Sequence, residues 1–148
     1  MTNMLIMTTP VTTGERYEFK FLATMAKDAG YQLRVAERKG SGGPLDACVD
    51  YNHINERHKA DVDEAFTNGQ VFVVNGMTNM VSRGAIELCT VDESPIEKFA
   101  KIIGRQLNRE EKIITALLAD TNRRNLKLRE LGATTPEIRA AAAKVANF

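Results

Sequence analysis

The segment that most constrains the fold is residues 71–112, VFVVNGMTNMVSRGAIELCTVDESPIEKFAKIIGRQLNREEK. It begins with an apolar, largely β-branched run that ends at Asn75 and Gly76, a pair favoured in two-residue hairpin turns. A second apolar run, residues 81–89, contains Gly84, and a glycine inside a strand is typical of a bulge. We therefore predict that residues 71–89 form an antiparallel β-hairpin.

The second half of this segment predicts a helix. Ser94 is a suitable N-cap, Pro95 suits the first helical position, and Glu97 can complete a capping box. The pattern that follows predicts one long central helix that runs to about Asp120 or beyond. Its apolar residues recur at helical spacing, at Ile96, Phe99, Ala100, Ile103, Leu107, Ile114, Leu117 and Leu118.

Shorter patterns predict the remaining elements. Apolar spacing predicts helices over residues 14–29 and 52–66, and alternation predicts a strand over residues 31–36. Residues 39–44, KGSGGP, have the composition of a connecting loop. Near the C-terminus, Thr134 and Glu137 suit a second capping box, at the start of an Ala-rich helix.

These elements together predict an α+β fold. It has a small antiparallel sheet with flanking helices, a long central helix and a C-terminal helical extension. We assign residues 1–121 to the α+β domain and residues 122–148 to the extension, which we expect to act as an oligomerisation or packing arm. Because the apolar stripe of the central helix is longer than one small sheet can cover, we expect a homo-oligomer.

The composition restricts the class of protein. A hydrophobic content of 43% and a charged content of 26% are those of a soluble globular chain. No apolar run approaches the roughly 18 residues that a transmembrane helix needs, so we expect no membrane partner. Cys48 and Cys89 are the only cysteines, and two cysteines do not make a disulfide framework. We therefore expect free thiols and a cytoplasmic protein.

The charge is distributed unevenly along the chain. Residues 1–97 hold 9 Lys and Arg against 14 Asp and Glu, whereas residues 98–148 hold 11 against 5. An acidic half joined to a basic half indicates self-association or a basic surface that meets an anion. Helix faces that differ in charge by chance would give the same pattern.

Three arginines are the candidate ligand-binding residues. Arg105 and Arg109 stand four positions apart, so on one helix their guanidinium groups would share a face. Arginine forks bind phosphate oxygens in a bidentate way, and Arg83, from the second strand of the hairpin, can join them. The pattern predicts an anion or nucleotide clamp, although a solvated face with local ion pairs would also explain the pair.

A second basic group suggests a different partner. It lies near the start of the C-terminal extension, and contact with a nucleic-acid backbone needs positive charge more than any motif. A solvated or subunit-facing segment also explains it, and the absence of interleaved aromatic residues favours that explanation. The group comprises Arg123, Arg124, Lys127 and Arg129.

No motif predicts catalysis, a cofactor or a metal. His53, Glu56 and His58 lie close together, but the five-residue step between the histidines places them on different helix faces. The same cluster offers no nucleophile. We therefore expect a protein that is not an enzyme.

Residues 83–105 carry a resemblance to a known class of protein. The run RGAIELCTVD from Arg83, followed by Ile96 to Phe99 and by the pair Gly104 and Arg105, resembles a pattern in small accessory proteins of tailed bacteriophages. In that pattern, a strand ending RGxAxC leads through a short acidic loop into a helix containing GR. The proline of this chain follows the loop, whereas in the pattern it lies within it.

The resemblance implies a phage-encoded protein that acts in the host cytoplasm. Such accessory proteins bind and neutralise a host component, and some sequester cyclic nucleotide signals of bacterial immune systems. We therefore expect a non-enzymatic binding protein that antagonises its host by binding either a small anionic nucleotide or a host protein. The alternative is a nucleic-acid-binding protein that uses the basic C-terminal half.

Overall fold

The structure, a computed structural model, describes residues 2–38 and 48–148. Four strands alternate with helices in these residues: β1 (Met4–Thr8), β2 (Gln32–Ala36), β3 (Val71–Val73) and β4 (Ile86–Glu87). The described α-helices are α1 (Thr13–Asp28), α2 (Glu56–Asn68), α3 (Thr78–Ser82), α4 (Pro95–Ile103), α5 (Arg109–Leu117), α6 (Thr121–Glu130) and α7 (Thr135–Ala146). A 3₁₀ turn, Tyr51–His53, precedes α2. The loop predicted over residues 39–44 lies outside the described residues.

The four strands form one parallel sheet in the order β2-β1-β3-β4. Leu5 in β1 lies opposite Leu33 in β2 and Phe72 in β3, and Phe72 lies opposite Ile86 in β4, always with strands in the same direction. The protein is therefore α/β, and the predicted α+β fold with an antiparallel sheet is wrong.

The predicted hairpin over residues 71–89 is the source of that error. Residues 74–85 leave the end of β3, form α3 and return to pair β4 parallel to β3. A parallel pair needs such a crossover of about a dozen residues, whereas a hairpin would need only a tight turn. Asn75 does adopt the positive φ of a turn residue, at 57°, but the chain continues from it into α3.

Apolar runs on the strands explain why the sheet is parallel and covered. Met4, Leu5, Ile6 and Met7 of β1 are all buried, which is the pattern of a strand covered on both faces. One face carries a cluster to which β1, β3, α2 and α3 all contribute. Its buried residues are Met4, Ile6, Ala36, Val49, Ile54, Val62, Ala65, Val71, Val73, Met80 and Ala85.

The chain divides into two compact units. The first, here called the sheet unit, comprises the described residues of Met1–Thr9 and Leu22–Pro95. The second, here called the helical unit, comprises Pro10–Phe21 and Ile96–Phe148. Residues 122–148, predicted as a helical extension, form most of α6 and all of α7 in the helical unit.

The predicted long central helix is two helices. Gly104, at φ +74°, ends α4 in a Schellman motif, in which its N–H bonds the carbonyl of Lys101 and the N–H of Arg105 bonds that of Ala100. Four residues later, Asn108 and Glu111 form a capping box that starts α5. The apolar stripe continues across this break, which is why periodicity alone predicts one helix.

The apolar stripe of α5 is covered within the chain. Ile113 and Ile114 are buried with Ala141 of α7, and α5 contacts both α6 and α7. Tyr17, Leu117, Leu118, Leu128, Leu131, Ala133 and Val145 pack against this cluster. The uncovered stripe that motivated the expected homo-oligomer is therefore not present in α5, and oligomerisation stays a prediction.

Several predicted helix ends are confirmed. α4 begins at Pro95, and the capping box of Thr134 and Glu137 is present at the start of α7. The hydroxyl oxygen of Thr12 accepts the backbone N–H of Glu15 at 3.1 Å, at the start of α1. None of the helices formed by residues 2–38 and 48–148 is long and apolar enough to cross a membrane.

Candidate anion site

A cavity of about 470 Å³ opens in the helical unit. Its walls come from α4, from the loop between α4 and α5, from α5, and from the end of α6. This volume is in the range of small-molecule sites. The lining residues are Glu97, Ala100, Lys101, Arg105, Gln106, Leu107, Lys112, Thr115, Lys127, Glu130 and Leu131.

Arg105 reaches the cavity because α4 stops before it. The Schellman motif at Gly104 turns the chain, so Arg105 lies outside both helices. Its guanidinium carbon lies 5.0 Å from the centre of the Phe21 ring, and its Nη2 donates to Glu111 at 2.8 Å. Among the described residues, these contacts use one of the five N–H donors of Arg105, so the others can meet a ligand.

Lys127 enters the same cavity from α6. Its ammonium group donates to both carboxylate oxygens of Glu97 on α4, at 2.8 and 2.9 Å. Both side chains are largely buried, with 20% of Lys127 and 27% of Glu97 exposed. The ion pair therefore joins α4 to α6 along the cavity wall.

The lining residues carry an excess of positive charge. Four cationic side chains, those of Lys101, Arg105, Lys112 and Lys127, stand against the carboxylates of Glu97 and Glu130. Apolar surface comes from Ala100, Leu107 and Leu131, and Gln106 adds an amide. Cationic and apolar side chains around one cavity suit a ligand that is negatively charged at one end and less polar at the other.

Arg109 lies at the first position of α5 and does not line this cavity. Its guanidinium donates to both carboxylate oxygens of Glu137 at 2.6 and 3.1 Å, and to the carbonyl oxygens of Leu131 and Gly132 at 2.9 and 3.1 Å. Because α4 and α5 are separate helices, Arg105 and Arg109 do not share a helix face. The structure therefore gives Arg109 a capping role at the end of α6.

Arg83 belongs to the sheet unit and follows α3, whereas the sequence places it on a strand. Its guanidinium carbon lies 3.9 Å from the centre of the Tyr51 ring, and its Nη1 donates to Asp63 at 3.2 Å. The Tyr51 hydroxyl donates to the same carboxylate at 2.8 Å. These contacts close a small surface cluster between α2 and the end of α3.

The four basic residues of the alternative site all lie on α6, but they do not form one open face. Arg124 donates to the carbonyl of Ala119 at 3.2 Å, and Lys127 is paired with Glu97. Arg123 is half-buried, and Arg129 is exposed. Only Lys127 of this group lines the cavity.

Sequence reasoning missed Lys101 and Lys112 as cavity residues. Lys101 lies in the last turn of α4 and Lys112 in the second turn of α5, and the break at Gly104 brings the two helices around one space. The signals for that break were present, since Gly104 suits a helix C-terminus and Asn108 suits an N-cap. The convergence of Lys127 with them depends on tertiary packing.

The charged groups of this lining are suited to binding an anion. The hydroxyl of Thr115, which also lines the cavity, donates to the carbonyl of Glu111 at 2.7 Å. Ammonium and guanidinium groups bind oxyanions through charge-assisted hydrogen bonds. In residues 2–38 and 48–148, no three His, Cys, Asp or Glu side chains lie close enough together to hold a metal ion.

Comparison with known proteins adds no relative. The chain matches no family of known proteins, no curated protein and no solved structure. The resemblance to phage accessory proteins stays a prediction, and the proposals below depend on the geometry of the site.

Proposed function

We propose that this chain is a non-enzymatic binding protein that sequesters a small anionic ligand of the nucleotide class. The cavity of the helical unit is the site that we assign to the ligand, with Arg105, Lys112, Lys101 and Lys127 facing its anionic group. The observation that carries the proposal is the excess of two positive charges in a cavity of about 470 Å³.

Burial distinguishes Lys127 from the other cations of the cavity. Thr115 and Ala100 are nearly inaccessible to solvent and Lys127 is mostly covered, whereas Lys101, Arg105 and Lys112 are exposed. A buried cation meets an anion at a lower effective dielectric than an exposed one, so the attraction is stronger. That gain applies to Lys127, and the three exposed cations support the proposal by their shared position around one cavity.

The biological setting of the proposal depends on the resemblance of residues 83–105 to phage accessory proteins. On that basis, the protein is phage-encoded, and sequestration of a nucleotide antagonises a host activity in the host cytoplasm. A host protein surface as the target is the other form of the same proposal. Expression in a host distinguishes them: sequestration of a nucleotide would lower the concentration of that free nucleotide in host extract, whereas binding to a host protein would leave it unchanged.

Calorimetric titration tests the proposed ligand class. We expect adenosine 5′-monophosphate and pyrophosphate to bind saturably, and Arg105→Gln to weaken binding by about tenfold or more through the loss of a charged hydrogen bond. Arg139→Gln is the matched control, because Arg139 is exposed on α7 and does not line the cavity. Equal affinities of the two folded variants would contradict the assignment.

Nucleic-acid binding remains the alternative proposal. It would use Arg129 and the other basic residues of α6, and its affinity for long DNA would fall steeply as salt rises. Arg124 and Lys127 already have partners within the chain, which counts against their use in binding nucleic acid. Tight, salt-sensitive binding of DNA that Arg129→Gln weakens and Arg105→Gln does not would favour this alternative.

A further inference from the structure

A row of three aromatic rings, here called the aromatic row, lies on the helical unit beside the cavity. It consists of Phe21 and Tyr17 of α1 and of Phe148, which follows α7. The ring centres of Phe21 and Tyr17 are 6.3 Å apart, and those of Tyr17 and Phe148 are 5.3 Å apart in an edge-on contact. Arg105, which lines the cavity, contacts Phe21 at the inner end of the row. The aromatic row therefore leads from the cavity to Phe148.

The outer end of the aromatic row is open to solvent. Tyr17 and Phe21 are half-buried, and Tyr17 also packs against the buried cluster of Ile113 and Ile114, so packing within the helical unit explains its position. Phe148, in contrast, is 43% exposed. Single exposed apolar side chains are common, but this one continues a row of rings that starts at a charged cavity. Aromatic surface in that position offers a stacking platform to a nucleobase.

Positive charge accompanies the aromatic row. The ammonium nitrogen of Lys20 lies 5.1 Å from the centre of the Phe148 ring, and the guanidinium carbon of Arg105 lies 5.0 Å from that of Phe21. A cation therefore lies over each end of the row. The helical unit as a whole holds 13 Lys and Arg against 8 Asp and Glu, a charge balance that suits a partner with phosphate groups.

Two acidic residues next to the aromatic row are matched by cations. Glu110, Glu111 and Lys144 lie close enough to Tyr17 for their charges to act on its hydroxyl group. Lys144 forms an ion pair with Glu110, and Arg105 forms one with Glu111. These two carboxylates therefore present little net negative charge to a phosphate group.

We propose that the ligand is a short single-stranded oligonucleotide, with its terminal phosphate in the cavity and the base of the next nucleotide stacked on the aromatic row at Phe148. This inference rests on the proposed function and gives its ligand a preferred length of at least two nucleotides. Every base has a π face, so stacking on aromatic rings depends little on sequence, and cations along the strand meet its phosphates. In this arrangement, Lys20 faces the phosphate that joins the two nucleotides.

A mononucleotide uses only the inner part of this surface. Arg105 belongs both to the cavity and to the inner end of the aromatic row, so a phosphate in the cavity can place its own base at Phe21. Phe148 lies two ring contacts farther out. A second base reaches it, and the affinity gained from that base distinguishes an oligonucleotide ligand from a mononucleotide.

Calorimetric titration of the full chain with 5′-phosphorylated adenylates tests the inference. We expect the dinucleotide pApA to bind about tenfold more tightly than adenosine 5′-monophosphate, because stacking of one base on an aromatic ring gives a gain of that order. Phe148→Leu keeps an apolar side chain against Tyr17 but removes the ring, and it should reduce this ratio to about two. Phe148→Tyr is the matched control, since it keeps the ring and should keep the ratio. Circular dichroism checks that both variants fold.

Adenosine 3′,5′-bisphosphate separates the effect of the base from that of charge, because it has the second phosphate without the second base. We expect Phe148→Leu to leave its affinity unchanged. Equal affinities of the parent protein for pApA and the mononucleotide, or an equal loss of affinity for both in Phe148→Leu, would overturn the inference and leave the proposed function in place. Failure of every folded form to bind either ligand, or pyrophosphate, would overturn the proposed function and the inference with it.

Discussion

Arg109 and Glu137 join the first turn of α5 to the first turn of α7. The Nε and Nη2 of Arg109 donate to the two carboxylate oxygens of Glu137 at 2.6 and 3.1 Å. The same carboxylate accepts the backbone N–H of Thr134 at 3.0 Å in the capping box of α7. One acidic side chain therefore holds a helix start and an interhelical contact together.

This arrangement predicts a loss of stability in acid. The Arg109 guanidinium, followed by the Thr134 N–H, lowers the pKa of Glu137 from 4.5 to about 2. The unfolded chain binds the proton of Glu137 more readily than the folded chain. The stability that the ionised Glu137 contributes is therefore fully present above pH 4.5 and is lost as the pH falls towards 2. Urea unfolding should show that Glu137→Gln costs stability at pH 6 and much less at pH 2.5. Equal costs at both pH values would contradict this.

Glu18 on α1 predicts a change of the opposite sign. Burial, followed by the nearby charge of Glu15, raises the pKa of Glu18 from 4.5 to about 7. The folded state then binds the proton more readily than the unfolded state. The stability that protonation of Glu18 contributes is therefore fully present below pH 4.5 and is lost as the pH rises through 7. Glu18→Gln should therefore stabilise the protein at pH 8, by up to about 3 kcal/mol, and change little at pH 4. A variant less stable than the parent at pH 8 would count against this prediction.

Gly104 predicts a conformational cost that is separable from steric clash. Its φ is +74°, and an added Cβ would meet no atom within 4 Å. Gly104→Ala should therefore cost about 1 kcal/mol in urea unfolding, because alanine adopts this region poorly. Gly104→Asn is the matched variant and should cost less, since asparagine tolerates it better. An alanine variant as stable as the parent would mean that the Schellman end of α4 is not required.

Phe99 tests the buried face of α4. Its side chain is fully buried, whereas Ile102 in the same helix is 39% exposed. We expect Phe99→Ala to cost about 3–5 kcal/mol, as large-to-small core substitutions do. Ile102→Ala controls for the effect of alanine on the helix and should cost far less. An unchanged melting temperature for Phe99→Ala would place that face in solvent.

The fold shows which sequence signals are local. Helix starts at Pro95 and Thr134 depend on side chains within a few residues, and their prediction is confirmed. Strand direction depends on where the chain goes after a strand ends. Asn75 has the positive φ of a turn but leads into α3, so a local turn signal predicted the wrong pairing.

Apolar runs without alternation are the sequence signal that favours a parallel sheet here. Residues 4–7 and 71–73 are apolar without alternation, which is typical of strands covered by helices on each side. In the candidate site, Arg105, which the sequence predicts as a ligand-binding residue, lines the cavity. Lys112 was not predicted to join it because the break at Gly104 was not predicted, although Gly104 and Asn108 were local signals for it. Lys127 lies 22 positions after Arg105 and joins the cavity only through the packing of α6, which the sequence alone does not reveal.

The location of a bound nucleotide tests the central proposal most directly. In a two-dimensional amide NMR titration with adenosine 5′-monophosphate, we predict saturable shifts that centre on Lys101, Arg105, Leu107, Lys112 and Thr115. The amides of β1 and β3 should change little. Shifts that are absent, or that centre on the sheet unit instead, would contradict an anion site in the cavity of the helical unit.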